Sequence, residues 1–212
     1  MQSHIDLAYL ILKGDVSEGN LPSTLYLVDD KTFASPIPAA RKLPSQPAVK
    51  AFDQFYYLGI NTVSAWALDT SEGIILFGTL NNTDEATQYI EGGLRRVGLD
   101  PAKIKYIVIT HGHGDHTGLN TVKEPSKGGG KILRGSLEKF AKVSVAAGAD
   151  VVVSSHPFLD DAWVKAKLVN EGKAGKTSPW VADKDAVLRY YAATIEAVYA
   201  IEAYDRSKGE QH

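Results

Sequence analysis

Three histidines and an aspartate stand within six consecutive residues, His111-Gly-His113-Gly-Asp115-His116, directly after the apolar run Lys105-Tyr-Ile-Val-Ile-Thr110. Such a run reads as a buried strand, so the fold must deliver a ligand-dense loop at the strand's C-terminal end. Imidazole nitrogen and carboxylate oxygen suit Zn²⁺, and imidazole is neutral and available at pH 7. In an extended loop His111 and His113 point the same way and can reach one ion, while Asp115 and His116 can turn toward a second. Gly112 and Gly114 let the backbone fold tightly where a side chain would obstruct it. On average composition, four specified residues at this spacing arise by chance less than about once in a thousand chains of this length.

The rest of the composition narrows the chemistry. The chain has no cysteine, which excludes disulfides, thiolate-held metal and thiol catalysis. A net charge of -2 gives no bulk electrostatic reason to expect nucleic acid or an anionic membrane as partner. The longest apolar runs, such as Ile74–Phe77 and Val151–Val153, have strand length and not the length of a membrane span. Leu7–Leu12 is apolar but follows no basic residues and precedes no cleavage-like site, so no signal peptide is read there and the expected location is cytoplasmic.

Along the chain, residues 1–50 read as an N-terminal arm with the first elements, punctuated by Pro22, Pro36, Pro38, Pro44 and Pro47. Residues 51–205 read as the single folded domain. Phe55–Leu58, Val63–Leu68 and Ile74–Phe77 predict a meander of strands, with turns at Gly59–Asn61 and Thr70–Gly73. Asn82-Thr-Asp-Glu85 signals a helix start, and Ala86, Tyr89, Ile90, Leu94 and Val97 continue it to Gly98. After a loop over 117–131, with Gly128–Gly130 as a candidate flexible junction, a helix is expected over Ser136–Ala147. A short buried strand follows over Asp150–Ser155, then helices over Asp160–Asn170 and Asp185–Tyr204. Trp66, Trp163 and Trp180 read as core, and the Lys165–Lys167 cluster as a solvated helix face.

Thr110-His-Gly-His-Gly-Asp-His-Thr-Gly118 resembles the signature of the metallo-β-lactamase superfamily. Phe55–Leu68 (FYYLGINTVSAWAL), Gly73-Ile-Ile-Leu, Leu94–Asp100 and Ala147–Pro157 (AGADVVVSSHP) look like the B3-type branch. The resemblance implies an α/β fold, the αββα sandwich, and two zinc ions held by histidines and one aspartate. Carried across by position, His111 and His113 resemble ligands of the first zinc, and Asp115, His116 and His156 resemble ligands of the second. Pro157 disfavours helical geometry at His156, which suits a ligand at a strand end. The implied activity is hydrolysis of an amide, lactam, ester or thioester in a small molecule by metal-bound hydroxide, with Asp115 orienting the nucleophile.

Two departures qualify that expectation. The six histidines are His4, His111, His113, His116, His156 and His212, so none lies between 117 and 155, where the family places the first zinc's third histidine. The interval is also too short for the missing strands, and the sandwich is expected to be truncated in its second sheet. At Gly78 the family usually has an aspartate that supports the metal loop. One complete zinc site and one incomplete one are therefore expected, with a second copy of the chain as a candidate cover for the exposed sheet face. The alternative is a truncated, catalytically inactive paralogue with residual zinc binding or a binding role. A nucleic-acid-processing role has no basic patch to support it.

Overall fold

Short apolar runs separated by tight turns commit residues 49–77 to an antiparallel meander. In the computed structural model, whose described residues are 2–12, 37–110, 129–181 and 185–207, that meander is β1 (Val49–Phe52), β2 (Phe55–Gly59), β3 (Ser64–Thr70) and β4 (Gly73–Phe77). A fifth strand, β5 (Ile104–Val108), pairs in parallel with β4, giving a mixed sheet in the order β1-β2-β3-β4-β5. The parallel pairing needs a crossover. Thr83–Arg96 supplies it as one continuous helical stretch: α3 (Thr83–Glu85), a π-helical segment (Ala86–Glu91) and α4 (Gly92–Arg96).

Strand alternation sorts the side chains onto two faces. One carries Tyr56, Leu58, Ala65, Ala67, Ile74 and Leu76, which cluster with Leu80, Ile90 and Leu94. Gly93 lets the crossover lie close, because a Cβ there would stand 2.9 Å from Leu58 Cδ2 and 3.1 Å from Ala48 Cβ. The other face is aromatic: Tyr57 opposes Trp66 across the β2–β3 pair, and Trp66 meets Trp180 edge-on at 5.9 Å. Trp66 and Trp180 are core residues as expected, whereas Trp163 is only half-buried.

The chain divides into two compact units, residues 37–123 with 153–181, and residues 1–36 with 124–152 and 182–212. The first contains the sheet, its crossover, the short α2 (Ile37–Ala40) and α6 (Ala162–Asn170). The second contains α1 (Gln2–Leu12), α5 (Gly129–Ala146) and α7 (Ala186–Ser207), with α1 and α5 each packed on α7. Small residues, Ala8, Ala193, Ala197 and Ala200, are buried in this unit, and His4 Nδ1 lies 2.6 Å from Glu196 Oε2. Among the described residues no helix is long and apolar enough to cross a membrane.

The sheet begins at Val49, within the stretch expected to hold the arm and the first elements, because Val49 and Lys50 pair with Tyr57 and Tyr56. Three local expectations are corrected. β5 is not a buried strand. Among the described residues it pairs on one side only, and Tyr106 and Ile107 are 63% and 53% exposed. Residues 151–154 form no strand; β3 meets this segment through the Trp66 indole N–H, which donates to the Ser154 carbonyl at 2.9 Å, and the Ser64 N–H, which donates to the Ser155 carbonyl at 2.8 Å. Finally, α5 starts at Gly129, so Gly129 and Gly130 are helical. Glycine's poor helix propensity is a weak prior when an apolar run follows directly.

Candidate metal centre

Of the five expected ligands, His111, His113, Asp115 and His116 lie outside the described residues, and His156 lies within them. Two stems lead to these positions. β5 ends at Val108, whose carbonyl accepts from the Gly78 N–H at 3.0 Å, and the chain continues to Thr110. The other stem is Ser154-Ser155. The two meet, with Thr110 Oγ1 3.2 Å from Ser155 Oγ. The residue before His111 therefore touches the residue before His156.

The His156 ring is oriented by the β2–β3 turn. Its Nδ1 lies 2.8 Å from the Thr62 carbonyl oxygen. A carbonyl oxygen only accepts, so Nδ1 carries the proton, and in the neutral ring that leaves the lone pair on Nε2. Metal-binding histidines are commonly fixed in this way, one ring N–H on a backbone carbonyl and the other nitrogen toward the ion. Phe158 stacks on the ring at 5.2 Å and 20°. On this observation His156 fits a zinc ligand. Among the described residues no group of three histidine, aspartate or glutamate side chains could hold a metal ion.

Behind His156 sits a carboxylate that no motif announces. Asp160 is buried; its Oδ2 accepts from the Ser154 N–H at 2.9 Å and its Oδ1 from the Ala162 N–H at 3.1 Å. Burial pushes its carboxyl up to about 7, against the pull of Lys165 and the two N–H donors, while Asp161 pushes the same way. Burial and the neighbouring Asp160 charge likewise raise the Tyr57 hydroxyl, against a lowering by Ser64. Ser154 is the hub: its Oγ accepts from the His156 N–H at 3.1 Å and its carbonyl from Trp66 Nε1 at 2.9 Å.

A cavity of about 360 Å³ opens beside His156, lined also by Arg41, Asn61, Thr62, Asn81 and Glu85. Its far wall depends on a sharp change of direction after β4. Gly78 and the fully buried Leu80 both have positive φ, +80° and +63°. For leucine that conformation is strained, and packing must hold it. The turn delivers Asn81 and Asn82 to the helix start, where Asn82 Oδ1 accepts from the Glu85 N–H at 2.9 Å and Glu85 Oε2 accepts from Asn81 Nδ2 at 2.8 Å. Glu85 Oε2 also accepts from the Asn81 backbone N–H at 3.2 Å, so its carboxylate is tied one residue ahead of the cap. This fixes Glu85 on the cavity wall. At Gly78 a Cβ would have room, 3.5 Å from the Ser64 carbonyl oxygen, but its φ suits glycine.

The sequence pattern alone did not single out Asp160, Ser154, Arg41 or Glu85. Asp160-Asp161 before a helix is the one usable signal, since acids favour helix starts. Asp161 takes left-handed φ (58°) and makes no side-chain cap bond, so the capping falls to Asp160.

Comparison with known proteins bears on the fold. The sequence profile of the metallo-beta-lactamase superfamily matches residues 58–122. No curated protein matches the chain. Among solved structures, native FEZ-1 metallo-beta-lactamase from Legionella gormanii superposes with a TM-score of 0.60 at 13% identity, over 78% of this chain and 98% of that one. BJP-1, a subclass B3 metallo-beta-lactamase of Bradyrhizobium japonicum, gives 0.55 at 17% identity, over 80% and 99%. SMB-1 bound to 2-mercaptoethanesulfonate gives 0.58 at 17%, over 76% and 98%. At these identities the likeness is one of fold, and function must be argued from the site. Residues 58–122 thus resemble the metallo-β-lactamase superfamily in sequence, and the fold is that of these metallo-β-lactamase structures.

Proposed function

We propose that this chain is a zinc-dependent hydrolase acting on a small molecule with an amide, lactam, ester or thioester carbonyl. The match of residues 58–122 to the metallo-beta-lactamase superfamily supports metal-dependent hydrolysis. The observation that carries the finer reading is the meeting of Thr110 with Ser155, which sets the residue before the 111–116 motif against the residue before His156. Asp115, His116 and His156 would hold one zinc, a three-residue shell with room for water. His111 and His113 would form an incomplete second site. Bound zinc supplies Lewis acidity toward the carbonyl oxygen and acidifies a water to a pKa of about 7.

The residues of the chain supply orientation. The Thr62 carbonyl accepts from the His156 Nδ1–H, which would leave Nε2 to ligate the metal. The Asp115 carboxylate would orient the attacking water as well as bind metal. The cavity beside His156 has the size of a small-molecule site, with Asn61, Asn81, Glu85 and Arg41 as polar groups around it.

The test is hydrolysis of a chromogenic cephalosporin and of a simple lactone or thioester, with and without added zinc. Turnover that needs zinc and disappears in Asp115→Ala and His116→Ala supports the reading. Turnover indifferent to zinc or to those substitutions contradicts it. Gly78, which stands where the family usually has an aspartate, favours the second reading, an inactive paralogue that binds zinc. Zinc binding without turnover of any of these substrates would select it.

A further inference from the structure

We propose that Asp160 is the positioning residue of His156, holding the Ser154 peptide so that the histidine ring keeps its bond to Thr62. The proposal deepens the hydrolase reading and rests on it for its meaning, though not for its test.

Helix capping does not account for this carboxylate. The cap of α6 needs one oxygen, for the Ala162 N–H, and a serine or asparagine would serve without burying a charge. Asp160 also reaches back to the Ser154 N–H, across the turn that contains His156. Serving both donors takes two acceptor atoms on one side chain; an asparagine would present an N–H to one of them. Burial makes the arrangement costly, and a buried polar group is retained where each of its atoms has a partner.

From Asp160 the restraint passes through bonded contacts to the ring. Ser154, fixed by Asp160 at its N–H and by the Trp66 indole at its carbonyl, offers its Oγ to the His156 N–H. The His156 carbonyl accepts from the Leu159 N–H at 3.0 Å, closing the turn. His156 is thereby held at its backbone N–H and C=O, which leaves its ring within 2.8 Å of the Thr62 carbonyl. Without Asp160, the Ser154 N–H loses its acceptor, the turn relaxes, and the ring no longer has a single orientation.

The experiment compares wild type, Asp160→Asn, Ser154→Ala, His156→Ala and the double variant Asp160→Asn/His156→Ala. The first readout is the ring-nitrogen NMR spectrum of His156 in the metal-free chain, assigned by its loss in His156→Ala. The expected wild-type pattern is protonated Nδ1 and unprotonated Nε2. The expected Asp160→Asn pattern is an average over both tautomers, with Ser154→Ala shifted the same way if Asp160→Asn fails to fold. The second readout is zinc affinity by chelator competition, expected to fall about tenfold or more in Asp160→Asn and to show no further fall when that change is added to His156→Ala. A wild-type ring pattern retained in the variants overturns the proposal. So does an equal loss of affinity in the His156→Ala background, which would mark a general structural role. A wild-type chain that binds no zinc sinks the hydrolase reading instead, and the ring spectra still decide the role of Asp160.

Discussion

Thr110 and Ser155 approach to 3.2 Å through their hydroxyls, although 45 residues of chain separate them. This contact ties the end of β5 to the segment that presents His156. Replacing either hydroxyl, as Thr110→Val or Ser155→Ala, is expected to cost about 0.5–1.5 kcal/mol in urea unfolding. The double variant should cost less than the sum, with a coupling of about 0.5 kcal/mol or more. Strict additivity would show that the two stems are not joined by this bond.

Asp160 predicts a slope in stability against pH. Its folded carboxyl titrates near 7, above the ordinary 3.8, because burial penalises the charge. The folded chain therefore binds this proton more tightly than the unfolded chain does. The group's contribution favours folding most below about pH 4, falls as pH rises toward 7, and is level above that. The total change is on the order of 4 kcal/mol. Asp160→Asn should remove this component when urea midpoints of the two proteins are compared from pH 4 to 8. Parallel curves would contradict it.

The β2–β3 connection has no tolerance for a side chain at Gly59. Its φ is +134°, and a Cβ would stand 2.5 Å from the Val63 carbonyl oxygen. The same turn carries the Thr62 carbonyl that orients His156. Gly59→Ala is expected to lose about 1–3 kcal/mol of stability. It should also weaken zinc binding, by displacing the Thr62 carbonyl from the His156 ring. Unchanged stability would mean that the turn relaxes freely.

Trp66 contributes beyond its volume. Its indole N–H donates to the Ser154 carbonyl, and its ring meets Tyr57, Phe55 and Trp180. Trp66→Phe keeps an aromatic in the cluster but leaves that carbonyl without the indole donor. An expected loss of about 1–3 kcal/mol combines this with the smaller ring. Denaturant unfolding followed by circular dichroism measures it, and a loss near zero would show that the bond is replaced by water.

The parts of this structure that could be read from sequence are those that depend on local pattern. The meander from Phe55 to Phe77 has turn residues at both bends and apolar alternation between them. The crossover helix begins at its Asn82 cap and ends before Gly98, whose φ is +84°. Features set by distant partners were not legible. Nothing local shows that Tyr106 and Ile107 end on a sheet edge, or that Val151–Val153 stays out of the ladder. The histidine motif names its own chemistry, because six adjacent residues carry it. Asp160 does not, since its meaning lies in a peptide six residues back and in the burial supplied by the sheet.

Zinc content per chain tests the central claim most directly. The chain, purified without chelators and measured by elemental analysis against protein concentration, should carry one tightly held zinc, lost in His116→Ala and His156→Ala. No zinc, or two held tightly, would contradict an account in which Asp115, His116 and His156 complete one shell and His111 and His113 leave the other open.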